Sequence, residues 1–290
     1  MFPLRRDSAS PGRSRPRCTA LCLAQNARPG RATGRGRARI ASDEGGPLDE
    51  SLLLKWGDVE DRHWWYAGRN GIVADAALAQ VPAKAVDVLE VGCGSGGFLA
   101  GLSDVLPDAR LRGIEPNEAA RGRSIAKGLA VEPGSFELLP VRSSSTDVLF
   151  ALDVLEHCED DAAALAEARR VLRPGGLIIL TVPALPALWS RWDEVNAHHR
   201  RYVRDGLIGL VRAAGFEPIR TTYFNMFLLP IGWAVRKLSR PSDGQPPPGA
   251  DLPPRPVNAL FRGIIGLERR VLRHAGLPIG MSLLVVARRP

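Results

Sequence analysis

What the 290 residues lack narrows them first. No window holds 18 consecutive apolar residues, which excludes a membrane-spanning helix. Cysteine is scarce: of four residues, Cys18 and Cys22 fall in an Arg-rich leading stretch and Cys93 lies inside a glycine turn. A disulfide scaffold is therefore excluded, and with no zinc-ligand spacing present no metal site is expected. A continuous basic face is missing too. The net charge of +8 resolves into +9 over residues 1–40, −11 over residues 41–199 and +10 over residues 200–290. A groove for polyanions does not follow from that total, and no nucleic-acid partner is expected. The rest is ordinary for a globular chain, 45% apolar and 24% charged, long enough for one large domain or two small ones.

Residues 1–46 are rich in Arg, Pro, Gly and Ser and carry scarcely any apolar periodicity, so they are expected to be a disordered tail. A targeting segment and an upstream extension from an over-early start codon both fit them. Ser239–Pro256 holds seven prolines in eighteen residues and reads as a loop. Between these stretches strand-like runs occur at Ala85–Val91, Arg110–Ile114, Thr146–Leu152, Leu177–Val182, Pro218–Phe224 and Ser282–Ala287, with a weaker one at Phe136–Leu139. Helical patterns separate them. Asp160 to Arg173 opens with acids, aligns Leu165, Ala168 and Leu172, and stops at Pro174-Gly175-Gly176; Val203 to Ala214 stops at Gly215. Such alternation predicts βαβ units around a parallel sheet.

The sharpest local signal is the run from Val88 to Leu99, in which an apolar strand enters Gly92-Cys93-Gly94-Ser95-Gly96-Gly97 and a helix follows. Glycine there lets the backbone approach a ligand, and the helix start offers free N–H groups to it. Gly92, Gly94 and Gly97 satisfy G-x-G-x-x-G, a spacing common to more than one nucleotide cofactor. Glu115, closing the next strand in Gly113-Ile114-Glu115-Pro116-Asn117, is placed to accept both hydroxyls of an adenosine ribose.

Glu90-Val-Gly92-Cys-Gly94-Ser-Gly96 resembles motif I of the class I S-adenosylmethionine-dependent methyltransferases, with an acid two residues before the first glycine. Asp147 to His157, Leu172-Arg-Pro-Gly-Gly-Leu177 and Ala213-Ala-Gly-Phe216 resemble that family's fourth strand and turn, the turn into its fifth and the approach to its sixth. The resemblance implies an α/β, Rossmann-like, mostly parallel seven-stranded sheet whose last strand, Ser282–Ala287, is antiparallel. It also implies S-adenosyl-L-methionine as cofactor and a small-molecule acceptor. Carried over by position, Glu90, Gly92, Cys93, Gly94 and Gly97 would surround the methionine moiety, Glu115 would bind the ribose, and Asp153 would lie at the methionine end. The family often places an acid near the adenine amino group; here that position is Ser135.

An activated methyl requires chiefly an aligned acceptor and a dry site, with a base only where the acceptor must lose a proton. His157, closing the turn after the fourth strand, and His198, following the fifth, are the candidate catalytic residues. His157 is equally readable as a structural histidine pinning its turn, and of His198 and His199 one is expected to face the acceptor while the other is a loop residue. Trp64-Trp65-Tyr66 resembles an aromatic stretch ahead of motif I that caps the cofactor, although core packing explains it as well.

The domain reading is then a tail (1–46), an N-terminal helical cap (47–84), the cofactor-binding core (85–224), a helical and Pro-rich insert (225–281) and the final strand (282–290). The insert is apolar and basic, and it fits a lid, a dimer face or peripheral contact with an anionic membrane. The location expected is cytoplasmic, with that membrane contact as a variant of it. A nicotinamide-dependent oxidoreductase and a non-catalytic cofactor-binding protein remain as alternatives.

Overall fold

A computed structural model describes residues 50–81, 86–238 and 251–290. The expected tail, 1–46, and the Pro-rich stretch from 239 to 250 lie outside the described residues. Two helices come first, α1 (Glu50–Val59) and α2 (Trp64–Leu78). Strands and helices then alternate as β1 (Asp87–Val91), α3 (Gly97–Ser103), β2 (Arg110–Ile114), α4 (Glu118–Ala126), β3 (Ala130–Glu132), β4 (Thr146–Leu152), α5 (Asp161–Val171) and β5 (Leu172–Pro183). The remainder is α6 (Arg191–Val195), α7 (Arg204–Ala213), β6 (Glu217–Phe224), α8 (Leu229–Leu238), α9 (Arg255–Leu272) and β7 (Ser282–Arg288).

The strands form one seven-stranded sheet in the order β3-β2-β1-β4-β5-β7-β6. Pairings among β1 to β5 are parallel, and β7 runs antiparallel between β5 and β6. The central strands are mostly apolar, and Leu89, Leu149, Ile178 and Val285 on them are unexposed. Helix starts follow the local chemistry. Asn117 accepts the Ala120 N–H at 2.9 Å to open α4, and Asp160 accepts the Ala163 N–H at 2.9 Å to open α5.

Two strand expectations change. The third strand is Ala130–Glu132, paired with β2, and not Phe136–Leu139. Phe136 and Leu139 are both buried while Leu138 is 76% exposed, the three-residue spacing of a turn and not the alternation of a strand. The fifth strand starts at Leu172, before Pro174-Gly175-Gly176, because Gly175 at φ 80° lets the chain bulge and resume its pairing with β4.

The N-terminal cap and the insert, distant in sequence, pack together. Helix α9 crosses α2 where Gly68 meets Ile265, and a Cβ on Gly68 would fall 2.5 Å from that side chain. Asp75 of α2 accepts from Arg269 Nε at 2.8 Å and from Arg273 Nε at 2.7 Å. Asn258 accepts the Trp64 N–H at 2.9 Å, and the Trp64 ring meets Phe261 edge-on at 5.3 Å. Trp65 stacks on Phe224 with ring centroids 5.7 Å apart, joining this layer to the sheet.

Candidate cofactor and acceptor site

The glycine turn lies at the carboxyl end of β1. Gly92 has φ 65° and faces Val154 so closely that a Cβ would sit 2.6 Å from it, so a side chain is excluded on both counts. Gly94, at φ 54°, faces open space instead and leaves its backbone approachable. The turn is tied to the next strand by Glu115, which is 5% exposed and whose Oε2 accepts the Gly94 N–H at 2.8 Å while Oε1 accepts the Asn117 N–H at 2.9 Å. Burial raises the Glu115 carboxyl, and those two N–H bonds oppose it. Each oxygen retains acceptor capacity for a hydroxyl.

Glu90 sits under the turn, 3% exposed, with Oε2 buried and without a hydrogen-bond partner. Burial pushes its carboxyl up to about 8, opposed by Arg69 and reinforced by Glu60 and Glu115. Cys93 is buried beside Gly113, and its thiol is raised by burial and by Glu90, which makes it a packing group. Gly97 opens α3 but does not face the cavity; its Cα packs against the Glu60 carboxyl, 2.4 Å from where a Cβ would be.

Asp153 closes β4 in a left-handed conformation, φ 58°, unusual for a residue with a side chain. It is held there by three bonds. Its N–H donates to the Thr181 carbonyl at 2.9 Å, Oδ1 accepts from Thr181 Oγ1 at 3.1 Å, and Oδ2 pairs with Arg69 Nη1 of α2 at 2.8 Å. Arg69 therefore brings the cap onto the core at this point, a role no motif announced.

Beyond Asp153 lie the histidines. The His157 and His198 rings meet edge-on at 4.8 Å. Burial, with His198 adjacent, lowers His157 to about 4, so it is neutral near pH 7. His198 Nδ1 lies 3.1 Å from Asp193 Oδ1, which also accepts from Arg201 Nε at 2.7 Å. Asp193 is itself placed by its capping box with Ser190 at the start of α6. Glu156, fully buried, faces this group with Oε1 3.9 Å from His198 Nε2 and no hydrogen bond to either oxygen; burial and Asp153 raise its carboxyl well above the usual range. Ligand atoms of Glu156, His157 and His198 lie within 4.8 Å of one another, so these are the described residues that could hold a metal ion, a grouping that sequence spacing did not disclose.

One cavity of about 940 Å³ connects these parts. Glu90, Gly92 to Ser95, Glu115, Asp153, His157 and His198 all line it, as do Ser135 and Glu137. Glu137 Oε1 already accepts the Asp160 N–H at 3.2 Å. The aromatic cap (Trp64, Trp65, Tyr66) and the insert (Leu228, Ile231, Val235, Phe261) contribute further wall. Ligand cavities of about 300–1,000 Å³ are usual, and this one lies at the upper end of that range.

Comparison with known proteins agrees with this geometry. Residues 89–180 match the model of a methyltransferase domain. The chain is 30% identical over 179 residues to the ubiquinone biosynthesis O-methyltransferase of Cereibacter sphaeroides, covering 54% of this chain and 69% of that one. The chain belongs to the class I S-adenosylmethionine-dependent methyltransferases. It is also 31% identical over 184 residues to a malonyl-[acyl-carrier protein] O-methyltransferase of Alcanivorax borkumensis, covering 57% of this chain and 62% of that one. A 37.1 kDa protein in transposon Tn4556 of Streptomyces fradiae is 34% identical over 147 residues, covering 48% of this chain and 42% of that one. The chain thus spans only part of the length of these relatives, less than two thirds of the latter two. Among solved structures, a chain of the complex between the Haloferax volcanii Trm112 methyltransferase activator and a methyltransferase aligns with TM-score 0.57 at 21% identity, covering 84% of this chain and 96% of that one. The [4+2]-cyclase SpnF aligns with TM-score 0.52 at 19% identity, covering 76% and 80%. These two likenesses concern the fold, which hosts more than one chemistry.

The residues fit the cofactor of this family, S-adenosyl-L-methionine, on two observations. The orphaned, buried Oε2 of Glu90 calls for a cationic donor such as an α-ammonium. The open space over Gly94 beside Glu115 suits a ribose whose hydroxyls the carboxylate can accept.

Proposed function

We propose that this chain transfers a methyl group from S-adenosyl-L-methionine, by in-line displacement, to a small, lipophilic acceptor. The observation that carries the reading is the single cavity running from Glu115 and the glycine turn past Asp153 to His157 and His198. The cofactor supplies an activated sulfonium methyl. Glu115 binds and orients the ribose end, Glu90 accepts the ammonium, and the Asp153–Arg69 pair closes the methionine end against the cap. Trp64, Trp65 and the insert helices exclude water and align the acceptor. For an acceptor that loses a proton, His198 serves as base at Nε2, because the Asp193 carboxylate holds its other nitrogen. His157 contributes a neutral ring to the acceptor wall.

Membrane contact is the finer part of the reading. No helix among the described residues is long and apolar enough to cross a bilayer. Helix α8 buries none of its residues, and Ile231, Trp233 and Leu238 are exposed beside Lys237. That pattern supports interfacial contact with an anionic membrane, from which a lipophilic acceptor would enter the cavity.

The nicotinamide alternative loses support from the sheet, since dehydrogenase sheets continue in parallel where β7 here turns antiparallel. Isothermal titration with S-adenosylmethionine, S-adenosylhomocysteine and NADH tests the reading. Micromolar binding of the sulfur compounds, weakened roughly tenfold or more by Glu115→Ala, is expected. Binding of NADH alone would overturn it. Methyl turnover then separates an enzyme from a non-catalytic binding protein.

A further inference from the structure

Helix α8 brings a cation into the cavity wall, where no acid among the described residues pairs with it. Arg236 lines the cavity, its Nε is buried, and that nitrogen has no hydrogen-bond partner. No ion pair reaches its guanidinium among the described residues. The neighbouring charges do not compensate it. Arg201 repels it, and Asp193, an acid that acts on it, already accepts from Arg201 at 2.7 Å and from His198 at 3.1 Å. Burial, followed by Arg201, lowers Arg236 to about 10, which still leaves it charged near pH 7. Arg112 and Arg289 also leave a buried Nε unpartnered, but neither faces the cavity, and Arg289 donates through Nη1 to the carbonyl of Arg169 at 2.8 Å.

A guanidinium nitrogen buried without an acceptor is costly, and the planar fork it belongs to matches the two oxygens of a carboxylate or phosphate. Apolar side chains line the same cavity: Leu228, Ile231 and Val235 from the same segment and Trp192 from α6. Resting on the methyltransferase reading above, we infer that Arg236 is the anchor for an anionic group, carboxylate or phosphate, carried by the apolar acceptor. The acceptor class is then an anionic amphiphile, its charged end on Arg236 and its body along α8, with the methylated atom toward His198. Arg236 selects and orients; it transfers no proton.

The test titrates the full chain, saturated with S-adenosylhomocysteine, with decyl phosphate, decanoate and decanol, three probes of one tail length below their micelle concentrations. The anionic probes are expected to bind about ten- to a hundredfold more tightly than decanol, the ratio of the two showing which oxyanion fits. Arg236→Gln is expected to abolish that preference and keep decanol binding within about twofold, and Arg236→Lys to retain part of it. A preference that survives Arg236→Gln, no preference in the parent chain, or binding of none of the three overturns the assignment. S-adenosylhomocysteine affinity, measured first on every variant, reports the fold of each and judges the methyltransferase reading separately.

Discussion

Glu90 illustrates how one carboxyl serves binding at the expense of the empty protein's stability. Its value near 8 in the fold stands above the 4.5 of an unperturbed glutamate. The folded chain therefore holds more protons than the unfolded one between those limits, so this contribution is full below about 4.5 and lost as pH rises through about 8. Replacing it by Gln removes the titration. Thermal melts from about pH 5 to pH 8.5 are expected to fall more steeply for the parent than for Glu90→Gln, roughly by several degrees, and the same variant to weaken S-adenosylmethionine. Parallel curves would show that Glu90 does not titrate in that window. Asp193 makes a second prediction at this scale. As a positioning residue for His198, Asp193→Asn is expected to lower kcat about ten- to a hundredfold for a protic acceptor while the Kd for S-adenosylhomocysteine holds. An equal loss in both would mean that Asp193 supports only the fold.

Elements differ in how far their sequences disclosed them. The glycine turn, the place of Glu115 just after β2 and the succession of β1, β2, β4, β5, β6 and β7 along the chain were legible, because strand-turn-helix chemistry is local. The three-residue β3 was not, since Ala130–Glu132 is too short to show alternation and the apolar pair Phe136 and Leu139 nearby was a stronger decoy. Long-range pairs were equally silent. Arg69 meets Asp153 across 84 residues and Asp75 meets Arg269 across 194, distances at which no spacing rule operates. Arg201 and Asp193 were close in sequence to His198, but only the turn of α6 brings their side chains together. The crossing of α2 and α9 carries its own prediction. Gly68→Ala places a Cβ against a buried Ile265 that cannot withdraw, at a cost of about 1–3 kcal/mol in urea unfolding. Gly68→Ala combined with Ile265→Val should cost less than the sum of the two single changes; strict additivity would mean that the crossing relaxes elsewhere.

For the whole molecule, charge is partitioned: an acidic middle carries the proposed cofactor half, and a basic final third carries α8 and α9. If α8 meets anionic vesicles as proposed, flotation with phosphatidylglycerol vesicles is expected to recover the chain and to fall as salt rises. Trp233→Glu, on the exposed side of α8, is expected to reduce recovery severalfold at constant salt. Recovery indifferent to that change would remove α8 from the contact and leave the basic segments to explain it.

The position of β7 also sets the order in which the molecule can become whole. The last strand in sequence lies inside the sheet, and β6 pairs with no other strand. A chain still on the ribosome can assemble β1 to β5 and hold the glycine turn, yet β6 must wait without a neighbour until Ser282–Arg288 emerges. The cap waits as well, since its α9 partner follows it by almost two hundred residues. The strands that would hold the cofactor thus precede, and the walls that would enclose the acceptor are complete only once α9 and β7 have emerged. A nonsense change just before Ser282 would therefore remove seven residues from the sheet and leave β6 without the strand it pairs with.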